Sequence, residues 1–194
     1  EARTAATLKH PNIIQVFDFG EADSTYYMVM EYIDGVDLRA FIQENKRAPL
    51  PLTRAILEQV AAALDHAHGQ GIVHRDVKPS TVMLETVSTS PGGPPYRAVL
   101  MDFGIAKIVT GATMLTATGI LGTFDYSAPE QIQASAQVDG RADVYSLGVV
   151  AYEMLTGEKP FKQSNVGAVL MAHMTTPAPD PRILSPDLPE AAAQ

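Results

Sequence analysis

The sequence predicts an α+β fold in which a small β-rich portion precedes a larger, mostly helical one. Two observations carry that prediction. Ile13 to Phe19 and Tyr26 to Tyr32 are β-branched and aromatic runs separated by the polar turn Glu21-Ala22-Asp23-Ser24, the pattern of two antiparallel strands. Beyond Asp34-Gly35, which breaks that pattern, apolar residues recur at helical spacing, most clearly at Ile56, Leu57, Val60, Leu64 and Ala67.

Taken in order, residues 1–8 are rich in Ala, hold no breaker and read as part of a helix. After the two strands, Leu38, Phe41 and Ile42 form the apolar stripe of a short helix. The stripe from Ile56 to Ala67 belongs to a longer one that Gly69 and Gly71 end. Residues 82–85 and 97–101 read as two short strands, with Ser88 to Pro95 as a surface loop between them. Val109 to Thr123 is Thr-rich and without periodicity, a candidate mobile segment. Asp143 to Leu155 is apolar almost all round and predicts a buried central helix. Pro177 to Pro189 is Pro-rich and extended, and residues 189–194 look like the start of a further helix.

The chain has 194 residues, of which 46% are hydrophobic and 19% charged, with 14 Gly and 14 Pro. That is globular usage and excludes disorder, collagen and coiled coil. Lys and Arg total 14 against 22 Asp and Glu, a net charge of -8. Such a balance argues against gripping nucleic acid or anionic lipid through a broad basic face, and leaves a compact phosphate site open. With no Cys there is no disulfide framework, thiolate zinc site or cysteine nucleophile, which fits a reducing cytoplasm. No apolar run reaches the roughly 20 residues of a membrane span, and no signal peptide opens the chain.

Three separated strings carry the chemistry. His74-Arg75-Asp76-Val77-Lys78-Pro79 follows the long helix, and Asp102-Phe103-Gly104 follows the second short strand. Gly122-Thr123-Phe124-Asp125-Tyr126-Ser127-Ala128-Pro129-Glu130 closes the Thr-rich segment. Phosphoryl transfer needs a proton acceptor beside the attacking hydroxyl, cations on the phosphates and a carboxylate on Mg²⁺. Asp76, in a loop past a rigid helix, suits the first role. Lys78, two residues on, can neutralise charge as it develops. Asp102 offers oxygen to a hard cation. His66 and His68 lie two apart, on different sides of a helix, and do not read as a metal pair.

With these strings, and with His10-Pro11-Asn12, Met30-Glu31-Tyr32 and Asp143-Val144-Tyr145-Ser146-Leu147-Gly148, the chain resembles the eukaryotic-type protein kinase family, in particular its bacterial Ser/Thr members, over its whole length. The resemblance implies a two-lobe kinase fold, with residues 1–33 a remnant of the small β lobe and 34–194 the helical lobe. It implies ATP and Mg²⁺ as cofactors, and protein substrates bearing Ser or Thr, which Lys78 and Thr123 favour over Tyr. It makes Asp76 and Lys78 catalytic. It places Met30 behind the adenine pocket and Met83 on its floor, with Glu31 and Ile33 offering backbone hydrogen bonds to adenine. It also makes Asp102 the Mg²⁺ carboxylate, stacks His74 on Phe103, and gives Glu130 and Asp143 bracing roles. Arg75 is expected to pair with a phosphothreonine at Thr116 or Thr118, through autophosphorylation in trans, with Thr110 and Thr113 as weaker candidates.

The chain departs from the family's pattern in three ways. It holds no Gly-x-Gly-x-x-Gly loop and no strand lysine; Ile105-Ala106-Lys107 follows Asp-Phe-Gly directly and cannot be that strand. Glu1 matches the helix glutamate that pairs with that lysine, and the last helices are missing, so a fragment is expected, inactive or weak by itself and prone to aggregate. Its parent is expected to be cytoplasmic or anchored in a membrane beyond residue 194. Third, Thr81 stands where the family has the Mg²⁺-binding Asn and offers a weak ligand at best. That leaves a second reading open: a pseudokinase, or a kinase-derived interaction module, with little or no transfer.

Overall fold

A computed structural model describes residues 8–23, 25–87, 95–103, 124–133 and 138–192. Strands β1 (Val16–Ala22) and β2 (Thr25–Met30) form an antiparallel hairpin in which Phe19 faces Met28. The turn is tighter than the sequence suggests, because Asp23 adopts a left-handed φ of 50° and both strands run up to it. The first apolar run is therefore divided. Its leading residues Ile13 and Ile14 turn inward and are 3% and 5% exposed, while Phe17 and Phe19 face outward with Tyr26, Tyr27 and Val29.

A second sheet has the order β3 (Gly35–Asp37), β4 (Val82–Thr86) and β5 (Tyr96–Leu100), all antiparallel. Strands β4 and β5 lie where the sequence places them. Strand β3 falls on the dipeptide read as a break. Gly35 is what permits it, since a Cβ there would lie 2.1 Å from the carbonyl oxygen of Leu84 on β4. The two sheets meet through Ile13, which bridges Leu100 in parallel, with Ile14 N donating to Leu100 O (3.0 Å) and Leu100 N to Asn12 O (2.8 Å).

Helix α1 (Leu38–Asn45) is capped by Asp37, whose carboxylate accepts the Ala40 N–H at 2.7 Å, and it buries Leu38, Phe41 and Ile42. Helix α2 (Leu50–His68) buries Ile56, Val60, Ala63, Leu64 and Ala67, and the chain leaves it through Gly69 and Gly71. Helix α3 (Pro129–Ile132) is a single turn. Helix α4 (Arg141–Thr156) buries Ala142, Asp143, Ser146, Val149, Val150, Met154 and Leu155, yet Val144 is 63% exposed, so the helix is central but not covered all round. It ends at Gly157, whose φ of 77° and close approach to the Lys46 carbonyl, 2.2 Å from where a Cβ would sit, both demand glycine. Helix α5 (Val166–Thr175), capped by Asn165, was not evident from the sequence because its buried stripe contains His173. After it the chain is extended only as far as residue 180; a 3₁₀ turn at Pro181–Ile183, capped by Asp180, and a turn at 186–187 break the extended run expected for Pro177 to Pro189, and residues 190–192 form another 3₁₀ turn.

Residues from α1, α2, α4 and the β3–β5 sheet share one core that includes Leu38, Ile56, Leu64, Leu84, Leu100, Val150 and Met154. Burying each such side chain contributes roughly 1.5–3 kcal/mol before entropy is set against it. The fold is α+β, as the strand and helix patterns predict. No helix among the described residues is long and apolar enough to cross a membrane.

Candidate active site

Antiparallel pairing builds the site. Because Val82 faces Leu100, the residue before β4 meets the residue after β5, and Met101 N donates to Thr81 O at 2.8 Å. The loop following α2 and the Asp102-Phe103 corner are thereby brought side by side. His74 joins them. It is fully buried, and its Nε2 donates to the Met101 carbonyl at 2.7 Å. That fixes the tautomer, so Nδ1 accepts from the Asp76 N–H at 3.2 Å. Burial holds its pKa below the ordinary histidine value, against the pull of Met101, Asp143, Asp76 and Asp102. Its ring stands edge-on to Phe103 with centroids 4.7 Å apart.

Asp143, projecting from α4 and 0% exposed, is the other support. Its carboxylate accepts from the backbone N–H of His74 at 2.8 Å, from that of Arg75 at 2.7 Å, and from His68 Nε2 at 2.8 Å. Arg75 takes a φ of 65°, and its carbonyl accepts from Gln131 on α3 at 2.8 Å. A loop without regular structure is thus held at consecutive peptide groups, and Asp76 leaves it in a defined direction. The Asp76 carboxylate accepts from Lys78 Nζ at 2.8 Å, both side chains only about a quarter exposed.

Thr81 is 3% exposed. Its single hydroxyl proton is shared between the carbonyls of Lys78 (2.9 Å) and Asp76 (3.2 Å), while its oxygen accepts from Lys78 N (3.2 Å). The hydroxyl is committed to the loop backbone. Asp102 is exposed, has a φ of 59°, and its carboxylate makes no hydrogen bond or ion pair among the described residues. A carboxylate with no partner among the described residues is a hard oxygen donor of the kind Mg²⁺ takes.

Met30, Ile33 and Met83 lie in one apolar cluster with Ile14, Val99 and Met101. Glu31 follows β2, and its N–H is taken by the Gln15 carbonyl at 2.8 Å. This apolar cluster therefore lies next to the backbone that follows β2. On the other side of Lys78, a cleft of about 510 Å³ runs past Arg39, Ser80, Phe124, Tyr126, Glu153 and Lys159. It has room for an extended peptide. Tyr126 donates to Glu153 at 2.5 Å, and burial beside that carboxylate pushes its phenol pKa far up, so the bond keeps its proton. Glu130 sits half-buried on α3, where its charge is felt by Arg141 and Tyr145.

The site thus brings together Arg75, Asp76, Lys78, Thr81, Asp102, His74, Phe103 and Asp143, with Met30, Glu31, Ile33 and Met83 as a neighbouring group. Glu1, Thr110, Thr113, Thr116, Thr118 and Thr123 lie outside the described residues. Sequence reasoning passed over His68, Gln131 and Met101. His68 was weighed only beside His66, whose Nε2 in fact meets Gln70 at 3.0 Å; nothing local shows that its partner lies 75 residues on. Among the described residues no group of three or more His, Asp and Glu side chains is placed to hold a metal ion.

Residues 1–185 match the family described as the protein kinase domain. The chain is 34% identical over 193 residues to serine/threonine-protein kinase PrkC of Bacillus subtilis, covering 98% of this chain and 28% of that protein. It is 39% identical over 182 residues to serine/threonine-protein kinase PknF of Mycobacterium tuberculosis, covering 92% and 37%. Serine/threonine-protein kinase Pkn1 of Myxococcus xanthus is 41% identical over 187 residues, covering 96% and 26%. The chain therefore spans about a quarter to two fifths of the length of these relatives.

Proposed function

Because the chain belongs to the protein kinase domain family, we propose that it is catalytic-domain sequence of a Ser/Thr protein kinase that moves the γ-phosphate of ATP to Ser and Thr hydroxyls of proteins. Residues 1–33 are read as part of the small lobe and 34–194 as the helical lobe. The observation that carries the proposal is the Asp76–Lys78 pair on a loop whose amides are fixed by Asp143 and His74, with Asp102, whose carboxylate has no partner among the described residues, following the neighbouring strand.

In this reading Asp76 accepts the proton of the substrate hydroxyl as its oxygen forms the bond to phosphorus and ADP leaves. Lys78 holds the transferring phosphoryl group and balances charge as it develops. The backbone of Glu31 and Ile33 and the side chains of Met30 and Met83 receive the adenine. Asp102 would hold Mg²⁺, with Thr81 in second place because its hydroxyl is already committed. Mg²⁺ there would supply charge neutralisation on the phosphates. The cleft past Lys78 takes the protein segment to be modified. Arg75, whose guanidinium has no described partner, is the residue to pair with phosphorylated Thr116 or Thr118 after transfer between copies in a cytoplasmic setting.

The committed Thr81 hydroxyl favours a second reading, a pseudokinase that binds partners or nucleotide with little transfer. Labelled ATP and Mg²⁺ supplied to the whole protein separate the two. Label on the protein that is lost in Asp76→Asn is the expected result, and Thr81→Asn should raise the rate by a factor on the order of 10². Label only after Thr81→Asn would select the pseudokinase. No label in any form would overturn the catalytic assignment.

A further inference from the structure

Arg97 on β5 has no place in the chemistry above, yet its guanidinium is among the most fully engaged groups in the molecule. Nε donates to Glu85, its cross-strand partner on β4, at 2.7 Å. Nη2 donates to Glu31 at 2.7 Å, and Nη1 to the carbonyl of Pro11 at 3.3 Å. Arg97, Glu31 and Glu85 are each only 27–29% exposed at the side chain. The hydrogen bond to Glu31 is the largest influence raising the Arg97 pKa, so the guanidinium stays charged.

The position of this contact decides its meaning. Among the described residues, Arg97–Glu31 is the one ion pair that joins residues 8–33 to the rest of the chain; the others lie within the later portion. Glu31 is gripped twice, through its N–H by Gln15 and through its carboxylate by Arg97. The same residue begins the segment that leads to Ile33 and the apolar cluster with Met83 and Val99. Glu85 holds the guanidinium from the far side and stops it swinging away, because a fork with two carboxylates has few other orientations.

We propose that Arg97 is a positioning residue that sets where the 31–33 backbone stands relative to Met83 and Val99, and thereby how tightly the nucleotide is held. The proposal rests on the reading of that backbone as the adenine-binding segment. It predicts a specific kinetic split. Losing the clasp lets the segment move before ATP binds, and a substrate that must first order it binds more weakly. The Asp76–Lys78 pair lies on a different loop and is untouched.

The test is a steady-state titration of Mg²⁺–ATP with the full-length protein, in parallel with hydrogen exchange of residues 30–34 in the absence of nucleotide. Arg97→Met should raise KM for ATP about fivefold with kcat changed less than about twofold. Arg97→Lys, which keeps the charge but not the fork, should fall between. Exchange across residues 30–34 should quicken in Arg97→Met. Glu31→Gln leaves the Arg97–Glu85 pair intact and should give the same split, and the double variant should be no worse than either single one. Unchanged KM and exchange, strictly additive effects, or a fall confined to kcat would each overturn the proposal. If Arg97→Met does not fold, Glu31→Gln decides alone. If the unaltered protein turns over no ATP, the kinase reading fails, and the exchange of residues 30–34 still upholds or refutes the clasp.

Discussion

Replacing Asp143 by Ala would leave the buried amide of His74 and the part-buried amide of Arg75 without acceptors. Each such donor costs roughly 1–3 kcal/mol, so about 4 kcal/mol of stability should go, a large share of the 5–15 kcal/mol typical of a domain. Denaturant unfolding measures it, and phosphoryl transfer should fall with it even though no reacting group has been removed. A change below about 1 kcal/mol would show that the three bonds to Asp143 do not hold the loop. That Asp76 and Lys78 would stand together was legible in the sequence because both sit inside one contiguous string. Their supports were legible only in part: the resemblance implied a stacked His74 and a bracing Asp143, while the share of His68 in the Asp143 carboxylate, 75 residues away, shows only in the folded chain.

Among the elements, the long helices and the β4–β5 pair were legible because their periodicity runs through many residues. Strand β3 and helices α3 and α5 were not. β3 is three residues long and exists because β4 offers it an edge, while α5 buries a histidine where a periodic pattern needs an aliphatic residue. The end of α4 gives a sharp test. Gly157→Ala must place a Cβ 2.2 Å from the Lys46 carbonyl at a φ of 77°, so backbone must shift. The expected loss is about 3 kcal/mol, read as a fall in thermal midpoint of roughly 6–12 °C for a chain of this size. Asp37→Ala at the start of α1 loses only a cap and should cost about 1 kcal/mol. Equal effects at the two positions would contradict the close packing at Gly157.

For the molecule as a whole, pH bears on two buried histidines. His74 and His173 both have pKa values lowered chiefly by burial, so the folded state resists the proton that the unfolded chain accepts near the ordinary value of about 6.5. Their contribution to stability is complete above that value and is lost as pH falls below it, by at most about 1.4 kcal/mol per unit for each. Thermal midpoints taken from pH 7.5 to 5.5 should fall, and His173→Phe should make the fall shallower; a flat profile would count against it. The supports of the active loop also have a consequence in time. His74 precedes Asp143 by 69 residues. A ribosome adding roughly 5–20 residues per second needs several seconds to cover that distance. Through that interval the loop carrying Asp76 has left the ribosome without the carboxylate that shapes it. Under the proposed function, a newly made chain would therefore acquire its transfer activity only once α4 has been synthesised and has packed.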